Sequence, residues 1–207
     1  MNSTAKPLPR RAWRAALTAS LAALALGACA PEAAAPQDPP LAGADIGGPF
    51  TLTSSTGETV TWEDFRGKFA VVYFGYAYCP DVCPTDMQRT AQGIREFAKQ
   101  DGEAAAKVQA VFITIDPERD TQEVVGEFTS AFSDDIIGLT GSPEAIKAAA
   151  DAFRVYYKKG EEGAGGGYLV DHTNIVYLFG PDGEPLAMLP TREGADAVAK
   201  ELAKWVS

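Results

Sequence analysis

The sequence predicts an α/β fold, and three observations carry that prediction. Residues 69–76, 108–116 and 173–179 are rich in β-branched and aromatic side chains, the composition of buried strands. Helical patterns over 84–99, 121–132 and 143–153 lie between them, and strands alternating with helices make an α/β sheet. The chain has 207 residues, of which 46% are hydrophobic and 22% charged. That is enough to bury one main core, and it excludes a wholly disordered or low-complexity chain. No internal repeat is visible.

Taken in order, the first 28 residues stand outside the fold. Lys6, Arg10, Arg11 and Arg14 form a basic region with no acidic residue, and the apolar stretch 15–26 follows. This reads as a secretory signal; the apolar run is well short of the roughly 20 residues a membrane-crossing helix needs. The segment ends in Leu26-Gly27-Ala28-Cys29, which resembles a bacterial lipoprotein lipobox. The resemblance implies that Cys29 is the acylated first residue of the mature protein, held at the periplasmic face of the membrane. The alternative is an ordinary signal peptide cleaved near Ala28 or Ala30. Pro31, Pro36, Pro39 and Pro40 then mark a flexible tether. The expected organisation is a signal over 1–28, a lipid-attached tether over 29–48 and one folded domain over 49–207.

The folded body opens with Phe50-Thr51-Leu52-Thr53, a turn at Thr56-Gly57 and Val60, which predicts a β-hairpin extension ahead of the main sheet. Asp64 to Lys68 lead into the first buried strand, and that strand runs straight into Cys79-Pro80-Asp81-Val82-Cys83-Pro84. Beyond the helices, Val155-Tyr156-Tyr157 precede a glycine-rich loop with Gly163, Gly165, Gly166 and Gly167. A Pro181-Asp182-Gly183 turn, a strand over 186–189 and a helix over 192–205 complete the chain.

Lys and Arg total 18 against 28 Asp and Glu, a formal charge of -10. Nucleic-acid binding normally requires a basic surface, so DNA and RNA are not expected partners. Without the four basic residues of segment 1–28, 14 remain against the same 28 acidic ones, a formal charge of -14. Three cysteines and one histidine are too few for a zinc-finger array or several haems.

The chemistry concentrates in Cys79 and Cys83. Pro80 disfavours helical geometry at Cys79, whereas Pro84 suits a first helical turn, so Cys83 is expected at or beside a helix N-cap. The positive end of the helix dipole favours the thiolate, the form that binds metal and attacks disulfides. The Cys-x-x-x-Cys spacing suits metal binding, redox exchange and a structural disulfide alike, although a disulfide closing so short a loop would constrain little of the unfolded chain. His172, the sole histidine, lies in Leu169-Val170-Asp171-His172-Thr173 just before a strand. Two thiolates and one imidazole make a three-donor site: soft sulfur selects Cu(I), and with an added oxygen ligand the set also accepts Cu(II). Structural zinc prefers a fourth protein ligand, and none is obvious.

Three segments together resemble the Sco/SenC family: Tyr76 to Pro84 around the cysteines, Thr114-Ile115-Asp116-Pro117-Glu118-Arg119-Asp120-Thr121, and Val170-Asp171-His172-Thr173. The likeness runs from about Gly48 to the C-terminus. It implies a thioredoxin-like fold, a central mixed sheet flanked by helices, in a copper protein that assists cytochrome c oxidase assembly. It implies that Cys79, Cys83 and His172 bind copper for delivery to the dinuclear CuA centre of oxidase subunit II, in company with other periplasmic copper chaperones. The rival is a thiol-disulfide reductase that uses Cys79 and Cys83 as a redox dithiol on the cysteines of that subunit or of other exported proteins. His172 discriminates, because dithiol exchange does not need it. Asp116 and Asp120 match an acidic motif that the family carries near its site, and they read equally as strand-end and helix-capping residues. Asp81 has the same two readings. Tyr76 and Tyr78 are expected to cover the metal or to pack.

Overall fold

Seven strands join one mixed sheet in the computed structural model of the chain, which describes residues 38–163 and 167–207. The strands are β1 Thr51–Ser54, β2 Thr59–Thr61, β3 Phe69–Gly75, β4 Val108–Thr114, β5 Ile137–Thr140, β6 Tyr157–Lys159, β7 Val170–His172, β8 Val176–Phe179 and β9 Pro185–Leu189. The helices are α1 Val82–Gln100, α2 Gly102–Ala105, α3 Gln122–Ser130, α4 Pro143–Ala152 and α5 Ala195–Trp205. The sheet order is β2-β1-β5-β4-β3-β8-β9, with β6 and β7 paired apart as a two-stranded ribbon. β3, β4 and β5 run parallel, and β1, β8 and β9 are antiparallel to their neighbours. This is the thioredoxin-like α/β architecture that the sequence predicts.

Every residue of β3 is buried. A central strand covered on both faces has no polar side to alternate with, which is why it reads as one apolar run. Successive side chains still point to opposite faces. Tyr73, opposite Phe112 in register, reaches Asp86 of α1, while Phe112 stacks on Phe128 of α3 at 4.9 Å. Phe74 turns the other way, to Phe153 just after α4 at 5.4 Å. α1 and α5 lie close enough that a Cβ on Gly93 would meet Val198 Cγ1 at 2.4 Å.

The structure moves three expected boundaries. The hairpin β1–β2 is an edge of the main sheet, because β1 also pairs with β5. The strand expected over 173–179 is β8 alone, beginning at Val176, and a separate short strand, β7, precedes it with His172 at its end. Part of the expected tether belongs to the body: Leu41 N–H donates to Leu186 O, Gly47 N–H to Ala152 O, and the Arg154 guanidinium pairs with Asp45. Leu41 and Ile46 also pack on the core, so a proline-rich segment read as free chain is held by backbone bonds and two apolar anchors. The expected signal over 1–28, Cys29, and Gly165 and Gly166 lie outside the described residues. Among the described residues no helix is long and apolar enough to cross a membrane.

Candidate metal centre

The cysteines occupy the crossover from β3 to α1. Gly75 ends the strand beside Cys83, and a Cβ there would stand 3.0 Å from the Cys83 sulfur and from the Tyr73 and Phe112 rings. Only a residue without a side chain leaves that sulfur its place. Asp81 is the N-cap of α1 but makes no side-chain capping bond. Cys83 therefore sits inside the first turn, one step deeper than the N-cap region expected, with its sulfur in the core. Pro84 fits that turn because its missing N–H would have had no helical partner.

His172 reaches the sulfurs from β7, whose register with β6 sets it opposite Tyr157. Its Nδ1–H donates to Thr173 O at 2.9 Å, which leaves Nε2 directed at Cys83 Sγ, 3.4 Å away. Such a backbone bond fixes both tautomer and ring direction. The Tyr76 ring packs edge-on to the imidazole at 5.9 Å, and Tyr73 does so at 6.3 Å. Tyr76 also accepts from Val170 N–H through its hydroxyl. It is buried packing beside the site, whereas Tyr78 is exposed.

Cys79, Cys83 and His172 each offer one donor atom, and these atoms all lie within 4.8 Å of one another. Both thiols are free and buried, Cys83 completely and Cys79 at 9% exposure. They are electrostatically unequal. The Cys83 thiol hydrogen-bonds the Cys79 sulfur, and His172 and the N–H groups of Asp81 and Cys83 add to it, so Cys79 is lowered to about 3 against the cost of burial. The same contact, joined by burial, pushes Cys83 up. The expectation that the helix dipole would favour both thiolates holds for Cys79 alone. The Cys83 N–H of the first turn points at the Cys79 sulfur at 3.4 Å, so the helix end serves the residue just outside it.

The acidic residues of 116–120 take a different part from helix capping. Thr121 caps α3, accepting from Val124 N–H. Asp120, fully buried, accepts from Ala77 N–H at 2.9 Å and from the Thr114 hydroxyl at 2.6 Å. Burial raises its carboxyl above the usual range, and its other oxygen has no partner. Asp116 accepts from Arg119 Nε at 2.6 Å and from the Tyr168 hydroxyl at 2.7 Å. Arg119 stacks 3.6 Å from the Tyr168 ring centroid and 5.0 Å from that of Tyr78. Tyr168 is the residue that sequence reasoning passed over: nothing in a glycine-rich surround marks it until the ribbon brings it to Asp116.

The donor set fits a soft metal. Two sulfurs and an imidazole nitrogen suit copper better than magnesium or calcium, which take oxygen donors.

Comparison with known proteins agrees with this geometry. The SCO1/SenC family pattern matches residues 38–207. Over 158 residues the chain is 40% identical to the human mitochondrial protein SCO1 homolog, covering 76% of this chain and 52% of that one. It is 49% identical over 140 residues to protein SenC of Rhodobacter capsulatus, covering 68% and 61% respectively. The chain spans about half the length of the curated relatives it matches. Among solved structures, Bradyrhizobium japonicum ScoI with copper bound superposes with a TM-score of 0.70 at 37% identity, covering 78% of this chain and 99% of that one. Yeast Sco1 with copper bound gives 0.71 at 31% identity, covering 78% and 88%.

Proposed function

The chain belongs to the SCO1/SenC family, and from that premise we propose that it is a copper-binding protein of cytochrome c oxidase assembly. Cys79, Cys83 and His172 are the ligands. The observation that carries this reading is the convergence of their three donor atoms within 4.8 Å. Two sulfurs hold Cu(I), and the same set with an added oxygen holds Cu(II). The cargo is delivered to the CuA centre of oxidase subunit II, alongside other copper chaperones. An exported domain suits that work: the signal over 1–28 and acylation at Cys29 place it at the periplasmic face of the membrane.

The test is metal stoichiometry. The reduced chain is expected to bind one Cu(I), and the Cu(II) form to show thiolate-to-copper charge-transfer absorption. Cys83→Ser should lose that band. Equal copper uptake by wild type and Cys83→Ser would overturn the shared site.

One observation favours a second reading, a thiol-disulfide reductase. A thiolate at the pocket edge beside a buried neutral thiol, Cys79 against Cys83, is the asymmetry of an attacking and a resolving cysteine. It predicts exchange activity that does not depend on His172.

A further inference from the structure

His172 is carried by a ribbon that is hydrogen-bonded to none of the seven strands of the main sheet: β6 and β7 pair only with each other. Something else must hold the imidazole over the sulfurs. Between the ribbon and residues 115–118 lies a cavity of about 150 Å³, so close packing is incomplete there. Val170 is buried in the core and Tyr157 and Tyr168 pack against it, and polar contacts join them. The Tyr168 hydroxyl donates to Asp116 Oδ1 at 2.7 Å, Lys159 Nζ pairs with Glu118 at 2.9 Å, and Val170 N–H donates to the Tyr76 hydroxyl at 3.2 Å.

These contacts differ in weight. The Lys159–Glu118 pair is exposed, and such pairs contribute little. The Asp116 carboxylate is only 4% exposed, and a hydrogen bond to a buried charge is among the stronger kind. Asp116 also belongs to the same turn as Asp120, which grips the cysteine loop through Ala77 N–H. A single turn, 116–120, thus holds the cysteine loop at one end and the histidine ribbon at the other.

Resting on the copper reading above, we propose that Asp116 and Tyr168 are positioning residues whose hydrogen bond latches the β6–β7 ribbon and so keeps His172 on the metal. Opening the latch lifts the imidazole while both cysteines stay in place, and this is the step that frees copper for an acceptor. Neither residue touches the metal donors.

Tyr168→Phe keeps the ring under Arg119 and removes only the hydroxyl. Copper(I) release from the full chain into a chromogenic Cu(I) chelator should be about tenfold faster in this variant, the effect of losing one charge-assisted hydrogen bond. In a His172→Ala background the same change should alter release by less than about twofold, since the latch then has no ligand to hold. In the metal-free protein, amide exchange at Val170 and His172 should quicken. Release in Tyr168→Phe within about twofold of wild type, or an acceleration that persists without His172, overturns the proposal. If Tyr168→Phe does not fold, Asp116→Asn, which keeps an oxygen acceptor without the charge, serves with a smaller acceleration expected, and unchanged release there is equally fatal. Wild-type protein that takes up no copper defeats the underlying copper reading and this latch with it. Wild type that binds copper with unaltered release in the variants defeats the latch alone.

Discussion

The unequal cysteines make a prediction that needs no metal. With Cys79 lowered to about 3, its sulfur is a thiolate throughout the range in which ordinary cysteines titrate. An unperturbed thiol of pKa about 8.5 rises from roughly 0.03% thiolate at pH 5 to about 24% at pH 8, a change of about 760-fold, roughly the factor by which its alkylation accelerates. Cys79 is about 99% ionised at pH 5 for a value near 3, so its alkylation in the reduced, metal-free protein should be nearly flat across that interval. The assay is the iodoacetamide rate against pH, with mass spectrometry to locate the adduct. Cys83→Ala removes the thiol whose hydrogen bond contributes most to the shift and should move the midpoint upward into a measurable range. The same inequality appears in stability. Because the folded value lies below the unfolded one, the unfolded chain takes up the extra proton as pH falls from about 9 towards 3, so the stabilisation from this thiolate is full above that window and is lost through it. Cys83, shifted upward, acts with the opposite sign only above the ordinary thiol range. A wild-type alkylation profile that climbs several-hundredfold between pH 5 and pH 8, like a free thiol, would refute the hydrogen-bonded pair.

His172→Ala should weaken copper binding by orders of magnitude while the Cys79–Cys83 pair still exchanges with a disulfide probe; oxidase assembly that proceeds normally in a bacterium carrying this variant, but not with Cys79→Ala, would favour the reductase. Asp120→Asn keeps an acceptor for Ala77 and Thr114 and removes a buried charge. Since the wild-type carboxyl is raised by burial, stability present at low pH is lost as pH rises through its folded value, and the variant's advantage in thermal midpoint should grow over that rise; identical midpoints at every pH would count against it. Gly93→Ala should destabilise by about 1–3 kcal/mol through overpacking of α1 on α5, read by urea unfolding. Cys29→Ser should move the protein out of the membrane fraction, and its retention there would dismiss the lipid anchor.

Where an element's own residues determine it, the sequence was a sufficient guide. β3 is apolar throughout because both faces are covered, and α4 opens on Ser142 with Pro143 behind it, a cap that reads locally. β5 escaped notice for the opposite reason. Ile137–Thr140 is four residues long and includes Gly138, and it is a strand because β4 and β1 flank it. Gly138 is not a break there: a Cβ would strike Val125 Cγ1 at 2.5 Å, so the glycine admits α3 to the sheet. The docking of Leu41 and Ile46 was hidden in the same way, since proline content describes a chain's stiffness and says nothing of what the chain lies against.

The site divides along the same line. Cys79, Cys83 and His172 were legible because their atom types are rare in this chain and chemically matched, so that convergence was the economical reading of three scattered residues. Their inequality was not legible, because it depends on which sulfur the helix end faces and which one the core takes in. Asp116 and Asp120 were visible as residues but not as parts of one device. Capping is the role a local reading gives an aspartate before a helix, yet Thr121 takes the cap. That frees Asp120 to reach back 43 positions to Ala77 and Asp116 to reach forward 52 to Tyr168. The separation has a consequence for chemistry. Cys83 rides on a helix packed against α5, with Cys79 in the loop just before it, whereas His172 rides on a ribbon that is not paired with the main sheet. On the copper reading and latch proposed above, the two sulfurs are the ligands expected to keep the metal, and the imidazole is the one whose release the Tyr168→Phe experiment measures.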